Sequence, residues 1–340
     1  MVFVTGATGL LGRVIVLELL KQGKNVRAAK REQSNLIEMK ESLRYYSSDH
    51  EYFFSKIDWI NVDLSCKESI IEALVGVEEV YHCAGKVSYD PSEKREIFDF
   101  NVNITANILE ASQSCKIRKF LYVSSSVIFQ SVGNNGFITE NSKLISDFDN
   151  TVYAISKLKA YSRVYNAMKN NLNIIIIHPG MIIGSGGRNT SSLQFLKLLT
   201  SGYYTFSGGT ACVDVRDVAK IAVLLMKNNR FGEIFLIAAE NKAYKDVSVM
   251  AGKQPGNFPI ILNRTILTIA RIPALFLRYF FPQLRLLTKE NIRFLTSFPK
   301  VSNRKIVHEL NYHFISIEES LIFHTNHFAM VEDQWESRKR

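Results

Sequence analysis

The sequence predicts an α/β fold: a doubly wound parallel sheet followed by a smaller, mainly helical C-terminal region. Three observations carry this. Short apolar runs alternate with helix-period segments through the first half. The unbroken Ile174-Ile175-Ile176-Ile177 run suits a strand buried on both faces. Glycines at 6, 9 and 12 stand where the first strand should turn into the first helix.

Taken in order, strands are expected at 1–5, 25–29, 57–62, 79–83, 120–124 and 173–178, with helical periodicity at 10–21, 97–113 and 152–170. After Pro179-Gly180 the character changes. Gly/Ser turns fall at 184–187 and 207–209. A short strand at 212–215 runs into a helix at 217–226, with Asp217 as its expected N-cap, and a last strand lies at 235–238. Beyond Ala239 the expectation is helical, apolar and basic chain, with Pro273 splitting the helix there. No internal repeat or long linker is visible.

Composition narrows the class. The 340 residues are 46% hydrophobic and 22% charged, which excludes wholesale disorder and fibrous structure. Cys66, Cys83, Cys115 and Cys212 are scattered, so neither a zinc knuckle nor a disulfide framework is expected, and a reducing cytoplasm fits best. Met1 leads straight into the Val2-Phe3-Val4 strand, so no secretory leader is expected. Forty-two basic residues against 32 acidic give a net charge of +10. Residues 253–305 hold ten cations and one acid, Glu290, and so carry nearly all of that surplus. Arg264, Arg271, Arg278 and Arg285 recur every seven residues there. Each central arginine costs roughly 2.5–3.5 kcal/mol to insert, so a spanning helix is not expected. An amphipathic lid over an apolar substrate is favoured, with peripheral membrane contact as the alternative. No nucleic-acid motif is present. His324 and His327 lack a third ligand, so no metal site is expected, and His178 reads as a packing residue.

The segment Thr5-Gly6-Ala7-Thr8-Gly9-Leu10-Leu11-Gly12 joins strand to helix. Gly6 permits a tight turn, Gly9 lets a pyrophosphate approach the backbone, and Gly12 lets helix and strand pack closely. The helix N-terminus offers N–H groups to phosphates. A dinucleotide site follows, placing 1–180, with 212–239 returning to it, in the nucleotide-binding domain and 181–211 with 240–340 in the substrate domain. NAD sites carry an acid about 20 residues past the glycines. Here Lys30 and Arg31 stand instead, which favours NADP over NAD. Asp63 and Leu64 suit an adenine-edge contact, with a capping role for Asp63 equally open.

Tyr153 and Lys157 are four apart on one helix face, about 5–6 Å from each other. A tyrosine pKa near 10 suits neither acid nor base work at neutrality, and a neighbouring ammonium favours the phenolate. Ser124-Ser125-Ser126, at the end of the preceding strand, can hydrogen-bond a substrate oxygen against Tyr153.

With these segments in place, the chain resembles the extended short-chain dehydrogenase/reductase superfamily, also called the NAD-dependent epimerase/dehydratase family. Within it the likeness is greatest to the dihydroflavonol 4-reductase and 3β-hydroxysteroid dehydrogenase branch. Supporting segments are 5–12, 80–85, Asn101-Val102, 122–126, 153–157, His178-Pro179-Gly180 and 213–219. The resemblance implies a Rossmann fold. It makes Tyr153 the general acid/base and Lys157 its tuning partner on the nicotinamide ribose. Ser125 becomes the catalytic serine, with Ser126 as runner-up, and Asn101 takes a structural or proton-relay role. It puts Cys83, Ala84, Gly85, Pro179 and Gly180 along the cofactor cleft, and Lys86, Ser88 and Ser126 towards substrate. It also implies a homodimer through the helices at 97–113 and 152–170. Ser125-Ser126-Val127 lacks the carboxylates of the sugar dehydratases, and Lys30 replaces the acid of the NAD-retaining epimerases. The expected activity is therefore hydride transfer between a nicotinamide and a carbonyl or secondary alcohol on a hydrophobic or amphipathic small molecule. A nucleotide-sugar epimerase is the alternative within the family, and a non-enzymatic nucleotide-sensing scaffold the alternative outside it.

Overall fold

The computed structural model describes residues 1–133, 136–170, 172–186, 191–200, 203–251 and 259–337. Gly187 and Lys253, at the edges of the turn stretch and the basic stretch, lie outside them.

The apolar runs form one seven-stranded, all-parallel sheet. Across it the strands are Ile234–Ile237, Ile174–Pro179, Lys119–Val123, Glu79–His82, Val2–Thr5, Val26–Lys30 and Asp58–Asn61. The order reverses between Val2–Thr5 and Glu79–His82, and a crevice opens at the carboxyl ends of such a pair. Helices cover both faces. The Leu10–Lys21 helix, with nine of its twelve residues buried, lies against the Val215–Lys227 helix in one core. The Ile104–Ser114 and Val152–Lys169 helices close the other. A third core gathers Ile183, Phe206, Tyr244, Val247, Ile292 and Leu321. The doubly wound fold is as expected.

Four local expectations are corrected. The helix expected from Asp217 begins at Val215, and its cap is Asp214, whose carboxylate accepts the Arg216 N–H at 2.7 Å. Asp217 is instead buried, accepting the Tyr312 hydroxyl at 2.8 Å and the Ile315 N–H at 3.0 Å. Beyond Ala239 the chain is not all helical. Glu240–Ala243 pairs antiparallel with Gly209–Asp214, Ile260–Leu262 pairs with Tyr204–Phe206, and Lys300–Val301 pairs with Phe137–Ile138. These strands are too short to show a period of two. Pro273 sits inside a continuous Arg264–Leu277 helix. It faces solvent, where water can satisfy the carbonyl that loses its donor. Finally, the helix expected at 97–113 contains one π turn, Asp99–Asn103, between Lys94–Phe98 and Ile104–Ser114.

Candidate active site

The glycine turn is sterically committed. Gly6 has φ +66°, and a Cβ there would lie 2.7 Å from the Ala84 nitrogen. A Cβ on Gly12 would lie 2.1 Å from the Gly6 carbonyl oxygen. Gly9 is the N-cap and supplies no capping side chain, so the first N–H groups of the Leu10–Lys21 helix are left for an anionic ligand. Thr5 ties the two strand ends together: its hydroxyl bonds His82 Nδ1 at 2.7 Å and accepts the Ala84 N–H at 3.2 Å. These residues fit a dinucleotide: backbone fills the places where side chains would block the turn, and the crevice lies at the strand switch.

Strand end and helix start bring the chemistry together. Ser125 ends the extended stretch after Lys119–Val123, with φ −158° and ψ 148°. Thr151 caps the Val152–Lys169 helix by accepting the Ala154 N–H at 3.2 Å, which sets Tyr153 and Lys157 on its buried face. Burial pushes the Tyr153 phenol up to about 12, and a hydrogen bond with the Ser125 side chain pulls the other way. Burial pulls Lys157 down to about 8, with Cys83 opposing it. The ammonium donates to the Val123 carbonyl at 3.0 Å. It lies over the Tyr122 ring, 5.3 Å from its centroid, and a Cβ on Gly85 would stand 3.2 Å from it. Ser125, Tyr153, Lys157 and Gly85 thus share one end of the sheet.

Asn101, in the π turn, is a brace. Its Oδ1 accepts the Lys86 N–H at 2.8 Å, and its Nδ2 donates to the Lys86 carbonyl and to Ser156 Oγ, both at 2.9 Å. The Lys86 ammonium is paired with Glu93 at 2.8 Å and Glu96 at 2.7 Å, and Ser88 Oγ accepts the Asp90 N–H. Ser126 lines a cavity of about 440 Å³ together with Thr151, Ala154, Arg293 and Phe294.

At the far side of the crevice, Lys30 hydrogen-bonds Asn61 and Arg31 is exposed. Asp63 closes a turn onto Ser65, accepting its N–H at 2.8 Å and its hydroxyl at 2.6 Å. Leu64 offers its carbonyl to Asn107. Leu10 packs so closely that a Cβ on Gly184 would lie 2.9 Å from it, and Leu11 is buried. Gly180, beside Pro179, leaves no room for a Cβ, which would lie 2.4 Å from the Ala211 oxygen.

The model of the NAD dependent epimerase/dehydratase family matches residues 2–238. The chain belongs to that family. Its members are NAD-dependent enzymes. The chain is 30% identical over 249 residues to sterol demethylase protein B of Methylococcus capsulatus, covering 70% of this chain and 69% of that one. To dihydroflavonol 4-reductase of Solanum lycopersicum it is 25% identical over 262 residues, 73% of this chain and 68% of the other. Among solved structures, gox2253 superposes with a TM-score of 0.79 at 22% identity, covering 97% of this chain and 98% of that one. UDP-glucose 4-epimerase of Thermus thermophilus, complexed with NAD, gives 0.70 at 17% identity, covering 96% and 98%. Both share the fold.

Three residues in or beside these clusters are not marked by the sequence motifs. Arg13 is 1% exposed. It donates to the Thr8 and Gly9 carbonyls of the turn, and to Glu38 and Ser42 of the Leu36–Leu43 helix. A lone cation inside the apolar Leu10–Leu20 run was its only signal. Asp214 accepts from Arg216, Ser320 and His324, and His324 Nδ1 in turn meets Ser185 Oγ at 2.7 Å. Burial opposes ionisation of Asp214, but Arg216 and His324 hold its carboxyl well below the usual range. His324 is buried and hydrogen-bonded through both ring nitrogens; no metal-binding cluster occurs among the described residues. Tyr89, lastly, sits with its ring centroid 5.8 Å from that of Tyr153 and 5.2 Å from that of Phe294.

Proposed function

We propose that the protein is an NADP(H)-preferring oxidoreductase. It would move a hydride between the nicotinamide and a carbonyl or secondary-alcohol carbon of a hydrophobic or amphipathic molecule. The observation that carries this is the convergence of Ser125, Tyr153 and Lys157 beside Gly85, at the sheet end that also bears the Gly6–Ala84 contact. When bound, the dinucleotide supplies or accepts the hydride. Tyr153, held protonated by burial, donates its proton to the substrate oxygen as charge develops there. Ser125 hydrogen-bonds the same oxygen and orients it. Lys157, mostly cationic below pH 8, favours the phenolate left behind. Asn101 acts through position, holding the Lys86 backbone against Ser156. Ser126 and Phe294 border the space open to substrate.

Lys30 and Arg31 support NADP: the second strand ends on one cation and a second follows it, at the place where NAD sites carry an acid. In the same reading, residues 1–180 with 212–239 carry the nucleotide, 181–211 with 240–340 carry the substrate, and two copies pair through the 97–113 and 152–170 helices. Titration with NADPH and NADH, followed by a carbonyl-substrate screen read by cofactor absorbance, tests the proposal. NADPH should bind more tightly, and Arg31→Asp should weaken it about tenfold, the worth of one charge-assisted hydrogen bond. Failure to bind either nucleotide overturns the reading; tight retention of NAD through purification moves it to an epimerase.

A further inference from the structure

The basic C-terminal stretch divides into two parts with different surroundings. Lys289–Thr296 and the residues after it turn inwards, and Glu290, Arg293 and Phe294 line the cavity beside Ser126. The preceding part, the Arg264–Leu277 helix with the Pro282–Leu286 turn, contributes nothing to that cavity. Of the fourteen helix residues only Leu267 and Ala274 are buried. They lie seven apart and form one narrow seam, which leaves the rest of an apolar helix facing out. Ile269, Ile272, Phe276, Tyr279, Phe280 and Phe281 are each between 57% and 79% exposed. Residues 264–289 hold five cations and no carboxylate. Arg264, Arg278 and Arg285 are exposed as well.

We propose that this hairpin is a monotopic docking surface for a bilayer bearing anionic headgroups. Three adjacent exposed aromatics, Tyr279-Phe280-Phe281, lie between Arg278 and Arg285. A headgroup layer matches that design, taking apolar side chains and aromatic rings below it and cations at its own level. No helix among the described residues is long and apolar enough to cross a membrane, and fourteen residues rise only about 21 Å, so the contact lies in the interface plane. The charge is complementary to acidic lipid, because no carboxylate in the hairpin opposes its cations.

The surface also joins the candidate site. Asn291 Nδ2 donates to the Leu286 carbonyl at 2.9 Å and to the Tyr89 carbonyl at 2.8 Å, and the Tyr89 ring packs on Tyr153. Docking would therefore bring the substrate-side mouth close to the lipid, where an amphipathic substrate resides. That last point rests on the functional reading above; docking itself does not.

The test is co-sedimentation of the full chain with vesicles of phosphatidylcholine, with and without phosphatidylserine. Wild type should bind, and more tightly with phosphatidylserine and at low salt. Phe280→Ser with Phe281→Ser should weaken binding to both vesicles about hundredfold, roughly tenfold per ring withdrawn. Arg264→Gln, Arg278→Gln and Arg285→Gln together should weaken binding about hundredfold on the phosphatidylserine vesicles alone, about fivefold each. Unchanged circular dichroism and melting confirm that both variants fold, as their exposure requires. Absence of wild-type binding overturns the proposal, as does equal binding by all three proteins. A serine variant that turns a dimer into a monomer at sedimentation equilibrium, with no vesicle binding by wild type, gives the face to a second copy instead.

Discussion

At the strand tips, Asn101, Ser125, Tyr153 and Lys157 are each at most 8% exposed, whereas Ile272, Phe276, Tyr279 and Phe280 on the hairpin are each at least 64% exposed. Both regions invert the usual partition of polar and apolar side chains, in opposite directions. The inward inversion is held by named partners: Asn101 by Lys86 and Ser156, Lys157 by the Val123 carbonyl. Among the described residues no hydrogen bond holds those four outward side chains; Tyr279 has only the Arg278 guanidinium beside its ring, 5.7 Å from the centroid. A site built inwards is therefore specified residue by residue, and each change there should be felt. A surface built outwards is specified by composition, and changes there should leave the fold alone.

The sharpest way to break that contrast is Tyr153→Phe. The ring stays and the hydroxyl goes, so kcat should fall about 10²- to 10⁴-fold while NADPH binding is kept; steady-state kinetics and fluorescence titration check it. Next is Asp214→Asn, which leaves Arg216, Ser320 and His324 facing a neutral amide. Urea unfolding should show a loss of about 3–5 kcal/mol, the usual cost of breaking a buried charged pair. The same carboxyl makes the wild type acid-sensitive. Its pKa is lower in the folded chain than in the unfolded one, so its contribution is present at neutral pH and is lost as pH falls below the ordinary carboxylate range. A smaller effect is the alkaline limb of activity. Burial lowers Lys157 to about 8, so its cation is lost as pH rises through that value, and kcat should then fall about tenfold per pH unit. Lys157→Arg, whose charge persists, should remove that limb. The smallest effect belongs to the hairpin: Phe280→Ser with Phe281→Ser should change stability by no more than about 0.5 kcal/mol, although two large rings are lost. A larger loss would mean that these rings are packed in solution, and the contrast between the regions would fail.

The same contrast explains what could be read from the chain alone. The glycines at 6, 9 and 12, the Ile174–Ile177 run and the Tyr153/Lys157 spacing obey local rules of backbone sterics, pleat and helix pitch: they lie at the first strand-to-helix junction, in a buried strand and on one helix. Features that depend on distant partners were illegible. Asp217 could not be told from Asp214 as a cap, because the partners that bury it, Tyr312 and Ile315, lie 95 and 98 residues away. Arg13 reaches Glu38 and Ser42 across 25 and 29 residues. The Glu240–Ala243 strand, Glu-Asn-Lys-Ala, has no strand pattern and is made by its pairing with Gly209–Asp214. Pro273 signals a break in the sequence, because its exposure, which spares the helix, is a tertiary fact. The basic apolar stretch was legible as unusual, but which part lines the cavity and which faces out depends on the packing of Leu267 and Ala274.

The central claim is that Ser125, Tyr153 and Lys157 act together on a substrate oxygen beside a bound nicotinamide. A single-turnover experiment tests it most directly: enzyme preloaded with NADPH is mixed with a carbonyl substrate found by screening, and oxidation of the bound cofactor is followed for wild type, Ser125→Ala, Tyr153→Phe and Lys157→Met. The account predicts cofactor retained by all four proteins and rapid oxidation by the wild type alone. Oxidation at the wild-type rate by Tyr153→Phe would contradict it.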